Sequence, residues 1–204
     1  MLGEADYVAH TNYSFILRET VEIAKLIEQG VSSEEIRDIA IDRDLFELRA
    51  IASRQRALQT IQKRLRSVAS PYIELLAKGN SDIQRFTNLF IILRENRLLQ
   101  ELIKEVLLSK LKNFEKRIFK TDLQIFFTAK REQSSTIAAW SESTYQKTQS
   151  NTLKILTEAG FLKSITPRGS YEIYALPVPL PLQQQLKSDG LEHFLILMLN
   201  PINN

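Results

Sequence analysis

Apolar residues recur three and four positions apart through most of the chain, a period that predicts a mainly α-helical protein. Phe15, Ile16, Thr20, Ile23, Ala24 and Ile27 mark a first helix over residues 14–29, with Gly30 as its stop. Ser32-Ser33-Glu34-Glu35 has the serine and acid order of a helix start and leads into Ile36, Ile39 and Ala40. After a loop over 42–48, a third helix is expected over 53–68, its apolar side formed by Leu58, Ile61, Leu65 and Val68. Pro71 is expected to break the chain, with a short amphipathic turn over 72–77 before the punctuation Gly79-Asn80-Ser81. Two strongly apolar helices, 82–95 and 97–114, carry Phe86, Leu89, Phe90, Leu102, Leu107 and Phe114, and are expected to build the core of an N-terminal bundle.

The leucine-rich pattern then gives way to Lys116-Arg117 and Lys120, which places a division between an N-terminal helical domain, 1–115, and a C-terminal domain, 116–204. Helices are expected over 122–130 and 134–140, and a third over 141–158 has Tyr145, Thr148, Thr152, Leu153, Ile155 and Leu156 on its apolar side. Gly160 stops it, and the β-prone runs 161–165 and 171–174 read as a hairpin turning at Arg168-Gly169. Pro177 to Pro181 is expected to be extended, with a last helix over 182–187 and the apolar run 194–199 folding back onto the body. Helices followed by a hairpin is the order of a winged helix, and helix, short acidic helix, basic helix earlier in the chain is the order of a helix-turn-helix unit. The aromatic residues, Tyr13, Phe114 and Trp140 among them, lie on apolar faces and are read as core.

Charge sharpens these two units. The chain holds 27 Lys and Arg against 24 Asp and Glu, a net +3 that is too small by itself to imply a partner. Residues 1–115 carry 17 basic and 17 acidic side chains and residues 116–204 carry 10 and 7, so the excess lies late in the chain. Between Glu28 and Glu47 seven acids accompany only Arg37 and Arg43, whereas between Leu48 and Ile73 six basic residues stand with no acid. On the 53–68 helix, Arg56, Gln59, Lys63 and Arg66 gather opposite the apolar side, with Arg49 and Arg54 near its start, a row suited to phosphate oxygens. On the 141–158 helix the polar side offers Ser143, Gln146, Lys147, Ser150, Asn151 and Lys154. The amides of Gln146 and Asn151 can pair bidentately with adenine, and Arg168 on the hairpin would reach a flanking backbone or minor groove. The plainer readings are a solvated basic face answering the acids between Glu34 and Glu47, and a winged helix that docks protein.

Composition removes most enzyme chemistry. With no cysteine there is no disulfide framework, thiolate metal site or cysteine nucleophile, and His10 and His193 are the only imidazoles. The scattered glycines make no phosphate-binding loop, and a carboxylate pair such as Glu34 with Asp38 sits at surface-helix spacing. A non-enzymatic protein with no cofactor or metal is expected. Glu4 and Asp6 stand where a signal peptide would be positive, and no apolar run approaches the roughly 20 residues of a membrane span, so a cytoplasmic protein without membrane contact is expected.

The stretches FILRETVEIAKLIEQGVSSEEI, SRQRALQTIQKRL and WSESTYQKTQSNTLKILTEAGFL together resemble the BrxA family, the small DNA-binding components of BREX phage-resistance systems. The resemblance implies an α-helical, two-part cytoplasmic protein that binds double-stranded DNA beside the system's methyltransferase and other BREX components, with no enzymatic activity of its own. The basic positions of SRQRALQTIQKRL and the polar face of the later block are the residues it carries over. Two alternatives stand beside it: an interaction scaffold within the defence complex, and an RNA-binding protein, since the N-terminal bundle also resembles the NusB-like fold. Neither an oligomeric state nor a base preference follows from these residues.

Overall fold

A computed structural model describes residues 7–12 and 15–199; Tyr13 and the expected helix start at Ser14 lie outside the described residues. The elements run α1 (Leu17–Glu28), α2 (Ser33–Ile41), α3 (Ile51–Arg66), α4 (Ser70–Lys78), α5 (Ser81–Glu95) and α6 (Arg97–Leu102). A π-helical segment (Ile103–Leu107) joins α6 to α7 (Leu108–Lys112). There follow β1 (Arg117–Ile118), α8 (Lys120–Gln133), α9 (Ser135–Ala138), α10 (Glu142–Glu158), β2 (Leu162–Ile165), β3 (Ser170–Ile173), α11 (Leu180–Ser188) and α12 (His193–Leu197). The fold is mainly α with one small antiparallel sheet. Packing gathers the described residues into two compact units, one of residues 16–92 with 178–192, the other of 93–177 with 7–12, 15 and 193–199. This grouping follows contacts and does not coincide with the change of composition at residues 115 and 116.

In the first unit α1 packs on α4 and α3, α2 on α3, and α11 on α4. Ile23, Ala24, Ile61, Leu65 and Leu76 are fully enclosed, as their helical spacing requires. Helix α2 starts where its sequence says it should, because Ser32 accepts from Glu35 N and Glu35 reaches back to Ser32 N. Helix α1 begins later than expected, after Ile16 in a left-handed conformation at φ 35°. Pro71 does not break the chain: it occupies the first turn of α4, where a missing N–H costs nothing and the fixed φ suits a helix. The same physics starts α11 at Leu180-Pro181, two residues before the expected point. Between α4 and α5 the chain passes so closely that a Cβ on Gly79 would meet Leu75 O at 2.4 Å, and Asn80 Oδ1 then accepts from Asp82 N and Ile83 N to open α5. Tyr72 stacks against Phe90 at 4.8 Å and donates its hydroxyl to Asp189 at 2.6 Å, which ties α4 to the end of α11.

In the second unit the helical rod of α6, the π segment and α7 buries Leu98, Leu99, Leu102, Ile103 and Leu107. Helix α8 packs on the π segment through an ionic cluster. Lys130, 6% exposed, reaches Glu101 at 2.9 Å and Glu105 at 2.5 Å, while Glu101 also accepts from Arg97 at 2.8 Å and from the Tyr7 hydroxyl at 2.6 Å. Burial alone would raise Glu101, but the bonds from Arg97, Tyr7 and Lys130 outweigh it and hold the carboxyl below the usual range. Burial likewise works against the Lys130 ammonium, and its two carboxylates more than restore it.

The sheet has the order β1-β3-β2, antiparallel throughout. The hairpin of β2 and β3 matches expectation, whereas β1 was not legible, since two residues carry no periodicity. Glu172 of β3 stands opposite Arg117 on one neighbour and Lys163 on the other. Phe114 departs most from its expected place. Past the end of α7 it takes a left-handed φ of 60° and is 95% exposed, so it is not part of the core. Trp140 is half-buried rather than enclosed.

Candidate nucleic-acid interface

Helix α10 carries the later candidate face. Ser141 caps it by accepting from Thr144 N, and Tyr145, Thr148, Thr152, Ile155 and Leu156 turn inward. Opposite them Ser143, Gln146, Lys147, Ser150 and Lys154 are exposed, as their spacing predicts. Together with Thr11 they line a shallow groove of about 410 Å³ that holds two lysines and no carboxylate. Lys154 lies 3.8 Å from Glu158 one turn on, a loose contact that leaves its charge available.

Asn151 corrects the sequence reading. It lines the same groove but is 8% exposed, and its Nδ2 donates to His10 O at 3.0 Å, so that nitrogen fastens the N-terminal segment alongside α10 and is not available for the bidentate pairing with adenine. Gln146 remains exposed, with its Nε2 on Glu142 Oε1 at 3.0 Å. Glu142 also takes Arg131 at 2.9 Å, and these two bonds, Arg131 first, lower its pKa.

On the other flank of α10 lies a larger groove of about 770 Å³, walled by α8 and the β2–β3 turn. Lys120 and Arg168 stand at it, both exposed. The turn closes with Ser170 N on Pro167 O, and a Cβ on Gly169, at φ 86°, would come within 3.4 Å of Lys120 Cβ. The hairpin tip therefore rests on the lysine stem, and the two cations come from different elements to one place.

Helix α3, in the other unit, carries the earlier candidate row. Arg56, Gln59, Lys63 and Arg66 are exposed along it and Arg49 is exposed just before it. Arg54 is again a correction. Its guanidinium donates to Leu48 O at 2.6 Å and Ile41 O at 2.8 Å and pairs with Asp44 at 2.8 Å, so each of its three nitrogens is already engaged in holding the loop between α2 and α3.

The BrxA family model matches residues 8–177, which include both candidate faces. The chain belongs to the BrxA family. A family relative from Bacillus cereus strain H3081.97, described as BREX protein BrxA, is 26% identical over 155 residues, 76% of each chain. A crystal structure of an uncharacterized protein from Magnetospirillum magneticum superposes with a TM-score of 0.77 at 18% identity, covering 95% of this chain and 98% of that one, and shares its fold. Among the described residues of this BrxA chain no group of three or more His, Asp or Glu is placed to hold a metal ion. No described helix is long and apolar enough to cross a membrane.

Two residues of the interface escaped the sequence reading. Thr11 reaches the α10 groove from far along the chain, and Lys120 meets Arg168 only because β1 pairs with β3 and brings the start of α8 beneath the hairpin. A cluster of charge at 116–120 was the only local signal.

Proposed function

We propose that this protein is the BrxA component of a BREX phage-defence system and acts as a non-enzymatic, duplex-DNA-binding accessory, holding DNA largely by its backbone phosphates. The observation that carries the reading is the exposed face of α10, where Ser143, Lys147, Ser150 and Lys154 line a groove without a carboxylate, next to a hairpin that exposes Arg168. Three helices ending in α10, then β2 and β3, with β1 closing the sheet, supports a winged-helix reading in which α10 enters the major groove. The order α1, α2, α3 supports a helix-turn-helix-like unit whose Arg49, Arg56, Lys63 and Arg66 add phosphate contacts. The description of the Bacillus cereus relative as a BREX protein supports the system and the other BREX components as partners.

Fluorescence anisotropy of a labelled duplex across a salt series tests the reading. Five or six phosphates contacted give a log–log slope of about −5, at roughly 0.9 per phosphate. Absent binding at low ionic strength, or binding indifferent to salt, rejects it. A second reading, an interaction scaffold within the defence complex, draws on Phe114, whose near-complete exposure in a left-handed conformation has no use inside this chain. Phe114→Ser separates the two, since it abolishes assembly with the other components under the scaffold reading and leaves duplex affinity unchanged under the first.

A further inference from the structure

The 770 Å³ groove between α8, α10 and the β2–β3 turn has opposite chemistry at its two ends. At one end Lys120 and Arg168 converge, and among the described residues neither has a carboxylate partner, unlike Lys110, Lys130 and Arg131 of the same unit. At the other end is Glu142. The stretch of α10 from Glu142 to Leu153 that forms one wall spans about 16 Å at the helical rise. Between the ends the half-buried Tyr171 supplies ring surface, the enclosed Phe127 and Tyr145 lie behind it with Arg131 over the Tyr145 ring, and Gln124 and Gln149 supply amide groups. Its volume falls in the range of small-molecule sites, roughly 300–1,000 Å³.

We propose that this groove binds one nucleoside phosphate, with the phosphate at Lys120 and Arg168 and the base along Gln149, directed at Glu142. Two cations from separate elements suit a phosphate, and the Glu142 carboxylate, which only accepts, selects a base with an exocyclic amine. Arg131 and Gln146 occupy two of its acceptor positions and leave others open. The inference goes beyond duplex binding and does not rest on it: Arg168 is common to both, but Lys120, Gln149 and Glu142 are not among the residues assigned to the duplex. The nucleoside phosphate is either a free nucleotide or the terminal unit of a strand, which the test separates.

Calorimetric titration of the full chain with adenosine 5′-monophosphate, thymidine 5′-monophosphate and adenosine measures each feature. The expected result is binding of adenosine monophosphate, with adenosine weaker by about tenfold or more, the equivalent of one charge-assisted contact. Thymidine monophosphate should bind more weakly than adenosine monophosphate, and Glu142→Gln should narrow that gap. Lys120→Gln should weaken adenosine monophosphate by about tenfold while its circular dichroism is unchanged. No binding of adenosine monophosphate at about 10 mM, equal affinity for adenosine, or an unaltered Lys120→Gln affinity overturns the proposal. Displacement of adenosine monophosphate by a 5′-phosphorylated single strand identifies a strand end as the occupant, and retention of it identifies the free nucleotide. Duplex anisotropy on the same preparation keeps the two ideas apart: intact duplex binding with no nucleotide binding removes this inference alone, and the reverse removes only the duplex reading.

Discussion

The Arg54 guanidinium holds the loop between α2 and α3 by two backbone carbonyls and Asp44, while Arg56, two residues on, is exposed and donates its Nε to Ala52 O of its own helix. Arg54→Ala should therefore destabilise the protein by about 2 kcal/mol, the scale of charge-assisted hydrogen bonds to a shielded side chain, as a lowered urea midpoint. Arg56→Ala should leave that midpoint within about 0.5 kcal/mol, as surface substitutions do. Asn151→Ala removes a bond to His10 O and should cost about 1 kcal/mol, with faster amide exchange around residues 7–12. An unchanged exchange rate with a large loss of duplex affinity would return Asn151 to the base-reading role its sequence position suggested. Glu101 gives a pH dependence whose sign is set by its depressed pKa. Its contribution is fully present above the ordinary carboxylate value of 4.5 and is lost as pH falls through the lower folded value, while that of Lys130, raised above 10.5, persists until strongly alkaline pH. Glu101→Gln should accordingly lower the midpoint at pH 7 and converge on the parent protein as pH falls below the ordinary carboxylate range.

At the scale of the element, exposed faces followed their period and interior contacts did not. Five of the six polar positions of α10 that line its groove are on the solvent side because a 3.6-residue repeat leaves them nowhere else to go. The sixth residue chosen with them, Asn151, is buried against the N-terminal segment, where the neighbour decides. Pro71 was ambiguous for a similar reason: one residue type both ends and begins helices, and which it does depends on the hydrogen bonds of the following turn. Reversing Lys147 and Lys154 on α10, or Arg56, Lys63 and Arg66 on α3, tests the two candidate faces separately. Each set should reduce the magnitude of the salt slope by about 0.9 per cation lost, with the α3 set giving the larger fall in affinity. An α3 reversal that leaves the slope unchanged confines the interface to α10 and the hairpin.

At the scale of the whole chain, packing joins residues 93–115 to 116–177 through Glu101, Glu105 and Lys130, although composition changes at 115. The proposed division at 115 and 116 has a direct test in limited chymotrypsin digestion, because Phe114 is exposed in a left-handed turn. Two fragments that stay folded after separation at Phe114 support it, and a loss of structure on cleavage shows that the ionic cluster makes 93–177 one folding piece. The sequence by itself determined the helical class, the hairpin, the cap of α2, the family, and most of the faces that stay in water, since each rests on local period, on turn chemistry or on motifs continuous along the chain. The tertiary structure alone decided the pairing of β1 with β3, the diversion of Arg54 and Asn151 to backbone carbonyls, the exposure of Phe114, and the meeting of Lys120 with Arg168. Those outcomes depend on contacts between residues far apart in the chain, and no local repeat encodes which carbonyl or charge will arrive beside a given side chain.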